Sequence, residues 1–154
     1  MTNFSHPQPE LKDTATELIT YERADGVALT AQLYLPRGYD PQRDGPRPVL
    51  MWAYPREFKD ATAAGQVEGS PFSFIRASWS RPTMWLAEGW VVLEKFAMPI
   101  LGEGDAEPND TFVEQVVMNA EAAVSELVRR GVGERGRFAV GGHSYVGTEQ
   151  QGGS

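Results

Sequence analysis

Three short, unbroken apolar runs constrain the fold of this chain more than any other feature: Val49-Leu-Met-Trp-Ala53, Trp90-Val-Val-Leu93 and Phe138-Ala-Val140. A strand with one wet face alternates apolar and polar residues. A strand without alternation is covered on both faces, which is the situation of a parallel sheet lying under helices. Helical signals separate the runs. Pro82 to Glu88 reads as a short helix, opened by the proline and closed by Gly89. Thr111-Phe-Val-Glu114 fits a capping box, and Val113, Val116, Val117, Ala120, Val124, Leu127 and Val128 then fall on one helical face that ends at Arg129, Arg130 and Gly131. Ahead of the first run, Leu18–Arg23 and Leu29–Leu35 flank Asp25-Gly26 as a hairpin. In its second arm Leu29, Ala31, Leu33 and Leu35 alternate as in a half-buried strand. The order hairpin, strand, short helix, strand, long helix, strand predicts an α/β fold whose sheet is mostly parallel after its first strands.

The connections carry less pattern. Residues 36–48 are proline-rich and read as a loop, as does the glycine-rich stretch from Pro99 to Asp105. Residues 54–80 form a long connection without clear periodicity, the kind that is often functional. Residues 1–16 read as a linker or arm, 17–147 as the domain, and 148–154 as a polar tail with no apolar residue to pack. A length of 154 residues suits one domain with a real core. The net charge of −7 argues against nucleic acid and anionic membrane as partners. No apolar run approaches the roughly 20 residues of a membrane span. The absence of cysteine leaves no disulfide or thiolate site. Glu103, Asp105, Glu107 and Asp110 lack the spacing of a calcium loop and read as a solvated acidic turn, so neither metal nor cofactor is expected. Trp52, Trp79, Trp85 and Trp90 read as core and interdomain packing in preference to a substrate pocket. The N-terminus lacks a basic region followed by an apolar one, so it is no secretory signal, and a cytoplasmic protein is expected.

The third run ends in a corner: Phe138-Ala-Val140-Gly-Gly-His-Ser144-Tyr145. An apolar strand leading through glycine to a serine at a sharp turn is how a nucleophile elbow reads. The turn holds the hydroxyl out over the sheet, and the amide after the serine can bind an oxyanion. Val146 stands where the full Gly-x-Ser-x-Gly pattern has its second glycine.

Taken in order, Arg23-Ala-Asp-Gly-Val27, Leu33-Tyr-Leu-Pro36 with Gly38-Tyr-Asp40, Pro48-Val-Leu-Met-Trp-Ala-Tyr-Pro-Arg-Glu-Phe58, Gly102-Glu-Gly-Asp105 and Gly141-Gly-His-Ser-Tyr145 resemble the prolyl oligopeptidase family of serine peptidases, in its glutamyl endopeptidase-like branch. The similarity runs from about His6 to Tyr145. It implies an incomplete α/β-hydrolase fold: the N-terminal half of the catalytic domain, ending at the elbow. It also implies that Ser144 is the acyl-forming nucleophile, that the Tyr145 amide and the Tyr54 hydroxyl are the oxyanion donors, and that a peptide is the substrate.

The family's aspartate and histidine lie downstream of the serine, and no Asp or His follows Ser144 here. His143 adjoins Ser144 but its ring cannot easily turn back to the hydroxyl, and His6 lies in the arm. A serine hydroxyl is a poor nucleophile without a base, so the 154 residues alone are expected to be inactive. An esterase of the same fold would carry a His-Gly-Gly type loop where this chain has Trp52-Ala-Tyr-Pro-Arg56. A non-catalytic binding module, or complementation by a second chain, are the other readings. The elbow strand, left at the sheet edge, is a candidate for self-association.

Overall fold

The computed structural model describes residues 11, 14–53, 56–58, 75, 81–102 and 108–142. In chain order these form β1 (Ala15–Glu22), β2 (Ala28–Leu35), α1 (Pro41–Asp44), β3 (Val49–Ala53), β4 (Arg56–Phe58), a 3-10 helix (Pro82–Glu88), β5 (Val91–Phe96), β6 (Pro99–Leu101), a 3-10 turn (Pro108–Thr111), α2 (Phe112–Arg129) and β7 (Phe138–Gly142). The main sheet runs β1-β2-β5-β3-β7. Its first three strands pair antiparallel, while β3 pairs parallel with both β5 and β7. β4 and β6 form a separate parallel pair.

Local chemistry accounts for most of these boundaries. The hairpin turns where the Arg23 amide donates to the Val27 carbonyl (2.9 Å), with Gly26 at φ +86°, a left-handed conformation that glycine takes without a Cβ penalty. Within the expected loop 36–48, Asp40 caps one turn of helix by accepting from the Gln42 amide at 2.9 Å, with Pro41 in the first turn. Helix α2 ends in a Schellman arrangement: Gly131 donates to the Val128 carbonyl (2.9 Å) and Val132 to that of Leu127 (3.1 Å). Its start departs from the expected capping box. The Thr111 hydroxyl makes no cap bond and accepts instead from the Gln115 amide at 2.9 Å. The glycine-rich stretch after Pro99 is likewise not all loop, because Pro99–Leu101 pairs with Arg56–Phe58.

The sheet is packed on both faces. One carries the main core, in which Ile19, Leu33, Met51, Leu93 and Phe96 meet Ala123 and Leu127 of α2. The other carries Tyr34 and Val92 against Leu11, Ile75 and Leu86. β2 is therefore not half-buried as its alternation suggests: Thr30, Gln32 and Tyr34 are buried as well as Leu29, Ala31 and Leu33, because the second cluster covers the other face. The opposite correction applies to Phe138-Ala-Val140. That run forms the edge strand, and Val140 is 65% exposed. Trp85, 42% exposed, packs at a tilt against Trp90 with ring centroids 5.3 Å apart and lies outside the buried core. Among the described residues no helix is long and apolar enough to cross a membrane.

α2 buries only part of the face its valines mark: Leu127 is buried and Val116 and Val124 pack against the main core. Val113 and Val117 are exposed, while Gln115, Asn119, Ala123, Glu126 and Leu127 are buried. The cause is Arg23, 3% exposed, in the hairpin turn. Its guanidinium donates to Asp25 (2.6 and 2.8 Å), to the Pro99 carbonyl (3.1 Å), to Gln115 Oε1 (3.3 Å) and to Asn119 Oδ1 (3.1 Å). Asn119 donates to the same Pro99 carbonyl (3.0 Å), and Gln115 exchanges bonds with both backbone groups of Leu101 (2.7 and 2.9 Å). Turning the helix to bury its two valines would gain roughly 2 kcal/mol each at best. It would take acceptors from a buried cation, which costs about 3–5 kcal/mol, and leave several amide groups unpaired at about 1–3 kcal/mol each. The polar network decides the helix orientation.

Arg23→Ala is accordingly expected to destabilise the chain by about 3–5 kcal/mol in urea titrations. Arg23→Lys should recover little, since one ammonium cannot reproduce the planar fork. The Arg23 guanidinium also holds the Asp25 carboxyl below the usual carboxylate range, and Arg129 and Arg130 do the same for Glu126. Carboxyls depressed on folding contribute stability above their unfolded pKa, near 4. That contribution is lost as pH falls from about 4 through their folded values. Asp25→Asn should lessen the loss, read as a shallower drop in the urea midpoint below about pH 4.

Candidate active site

The residues that matter here are delivered by strand ends. β3 and β7 run parallel and in register from Val49↔Phe138 to Ala53↔Gly142. On its other side Ala53 lies opposite Phe96, near the end of β5. The carboxyl ends of all three parallel strands thus meet at one edge of the sheet, where ligands bind in open α/β folds. Tyr54 follows Ala53 in the chain, and His143, Ser144 and Tyr145 follow Gly142. These four, with Glu103, Asp105 and Glu107, His6, Trp79 and the tail 148–154, lie outside the described residues. Asp110 is exposed.

Two glycines set how closely β7 approaches β3. A Cβ on Gly142 would fall 2.5 Å from the Ala53 carbonyl oxygen, and one on Gly141 would fall 2.5 Å from the Trp52 ring. The first obstacle is backbone and cannot yield, whereas the second is a side chain. The pair before the serine therefore does more than permit a sharp turn: it brings the end of β7 against the end of β3. Ala53 is held in the main sheet, and Arg56 pairs with Pro99, whose carbonyl accepts from Arg23 and Asn119.

A polar row runs across the sheet just below these ends. Gln32, Glu94, Trp52 and Gly141 are register partners across β2, β5, β3 and β7. Glu94 is 8% exposed. Burial pushes the neighbouring Tyr34 hydroxyl up to about 12, and the negative charge of nearby Glu94 adds to the rise. The Gln32 side-chain nitrogen is buried without a partner. Sequence reasoning passed over Glu94, Gln32 and the Arg23 network. Their signal was a polar residue within apolar strands, which periodicity alone treats as noise. At the same edge β5 carries a bulge: the register with β3 shifts between Trp52 and Ala53, and Lys95 there has φ +50°. Among the described residues no group of three or more His, Asp or Glu side chains could hold a metal.

No protein-family model matches the chain. It is 56% identical over 145 residues to a probable glutamyl endopeptidase, chloroplastic, of Arabidopsis thaliana, and 55% identical to a protein of the same description from Oryza sativa subsp. japonica. Over nearly all of its length the chain is similar to part of a glutamyl endopeptidase, as its resemblance to the prolyl oligopeptidase family implies. Each match covers 94% of this chain, which spans only 15–16% of the relatives' length. Solved structures share the fold: a prolyl endopeptidase (TM-score 0.51, 19% identity, 88% of this chain and 18% of that one) and oligopeptidase B of Trypanosoma brucei (TM-score 0.51, 15% identity, 86% and 17%). A post-proline cleaving enzyme of Rickettsia typhi matches equally well, at 0.51 and 19% over 84% of this chain and 17% of that one. The described strands are thus part of an α/β-hydrolase sheet.

The expected cytoplasmic placement does not stand, because both plant relatives are chloroplastic. It rested on the lack of a secretory signal. Plastid transit peptides are amphipathic and rich in arginine and serine, so that lack has no bearing on them.

Gly142→Ala should cost about 1–3 kcal/mol of stability, as overpacking against backbone does. A double-mutant cycle should couple Gly141→Ala to Trp52→Leu by about 1 kcal/mol or more, because the smaller ring-free side chain makes room. The same cycle with Gly142→Ala should show no coupling.

Proposed function

We propose that this chain carries the nucleophile and oxyanion donors of a serine peptidase acting on peptides at glutamyl residues. The Ser144 hydroxyl attacks the scissile carbonyl and forms the acyl-enzyme. The Tyr145 amide and the Tyr54 hydroxyl bind the oxyanion that develops as it does so. The observation that carries this reading is the parallel pairing of β3 with β7, in which Ala53 and Gly142, the residues before these groups, are register partners. The 56% identity to a glutamyl endopeptidase supplies the substrate class. The peptidase-domain portion would begin before residue 17, since β1 starts at Ala15 and Leu11 is part of the core, and would run to 147, with 148–154 a polar tail. The general base and its orienting acid would come from outside these 154 residues, so the polypeptide by itself is inactive. The edge position of β7 and the exposed Val140 support self-association of the isolated polypeptide.

The test is a chimaera in which these residues replace the matching 145 residues of the Arabidopsis relative. It should cleave peptides and react with a fluorophosphonate probe, whereas the 154-residue chain alone should not. Ser144→Ala should abolish labelling. Tyr54→Phe should lower kcat by about 10²–10³, the usual cost of one oxyanion donor. Labelling that persists in Ser144→Ala would overturn the reading.

A further inference from the structure

Lys95 stands apart from every other cation described. It is exposed, and no hydrogen bond or ion pair reaches it among the described residues. Its φ of +50° places it in the left-handed region, where every other described residue with positive φ is a glycine. Glycine holds that conformation without a Cβ penalty, and Asn or Asp with less than lysine pays. Local folding therefore gives no reason for a lysine here. Bulges and strained residues of this kind gather beside functional sites.

Its place in the sheet says what the site would be. Lys95 is the bulged residue between Glu94, opposite Trp52, and Phe96, opposite Ala53. Ala53 is in turn opposite Gly142. Two strand spacings, roughly 10 Å, separate β5 from β7 at this level. A peptide lying over the end of β7 therefore passes within reach of a long side chain rising from the end of β5. The neighbouring carboxylate does not pair with the ammonium: Glu94 is buried, whereas the Lys95 side chain is exposed.

We propose that Lys95 is a specificity-determining residue, the cation that receives the side-chain carboxylate of the glutamyl residue in the peptide. The bulge adds Lys95 to β5 at the level of the strand ends with its side chain exposed, and the unfavourable backbone conformation is the cost of that extra residue. The proposal rests on the peptidase reading above for its ligand, but its test does not use Ser144.

The 154-residue chain, labelled with nitrogen-15, would be titrated with acetyl-Leu-Leu-Glu amide and acetyl-Leu-Leu-Gln amide, in which the Glu side chain is the only carboxylate. At about 20 mM salt the Glu peptide should bind about threefold tighter, as expected for an ion pair near solvent. It should shift the Lys95 and Phe96 amides, and the preference should close at about 0.5 M salt. Lys95→Met should lose the preference and Lys95→Arg should keep it. Lys95→Gly should lose it while holding or raising the melting temperature. Equal binding of the two peptides, binding of neither, or a preference that survives Lys95→Met would overturn the proposal. A preference that appears while the chimaera fails to label would leave Lys95 standing and remove Ser144. Labelling without a preference would do the reverse.

Discussion

The Arg23 guanidinium is the constraint on which the carboxyl edge of this sheet depends. A buried cation must find acceptors, and the hairpin that carries Arg23 offers it only Asp25. The rest come from elsewhere in the chain: a carbonyl just after β5 and two amide side chains on α2. Satisfying one charge therefore fixes three elements at once. It selects which face of α2 turns inward, and it holds Pro99 and Leu101 in the extended form that β6 needs. Through the pairing of Arg56 with Pro99 it also anchors β4. The apolar face of α2 meets the core through Leu127, Val116 and Val124, while Val113 and Val117 are left exposed beside the polar network.

That network converges on the same edge as the glycine contacts of β7. β2 runs antiparallel to β5, so the hairpin turn lies where the parallel strands end. The two residues between β3 and β4 are flanked on one side by the main sheet and on the other by a strand that Arg23 holds. On the other side of β3, Gly142 meets the Ala53 carbonyl with no room for a methyl group. The strand ends are thus set by two unrelated means, hydrogen bonding to a buried charge and close backbone contact. Preorganisation of this kind is what oxyanion stabilisation requires, because donors that must be rearranged during the reaction lose most of their effect.

Much of this was legible in the sequence where the signal was local. The unbroken runs at Val49 and Val91 gave two central strands, and the glycine and proline punctuation gave the 3-10 helix and the end of α2. The motif order gave the family resemblance. What sequence reading missed was set by partners distant in the chain. The alternation of β2 suggested a wet face because nothing local reveals that Leu86 and Ile75 cover it. Gln115 and Asn119 fall outside the apolar face of the helix, and nothing local points to their partner, Arg23, over 90 residues away. The Thr111–Glu114 box failed for the same reason, since Gln115 claims the threonine hydroxyl while serving Leu101. At the candidate site, glycine was legible as a requirement, but what it makes room for was not. The Trp52 ring and the Ala53 carbonyl appear only once β7 is known to pair with β3.

The distribution of these features bears on where function sits. Elsewhere in the described sheet the strands are regular and the registers unbroken. The bulge, the lysine with positive φ, the two glycines under close contact, the buried Glu94 row and the Arg23 network all lie at or next to one edge. A fold under selection for stability alone has no reason to gather its irregularities there, since each carries a cost that a regular strand avoids. The unpartnered Gln32 nitrogen and the Glu94 carboxylate below the edge add to that cost. Irregularity concentrated at the carboxyl ends of parallel strands is what a sheet shows when those ends are shaped to hold groups in fixed positions.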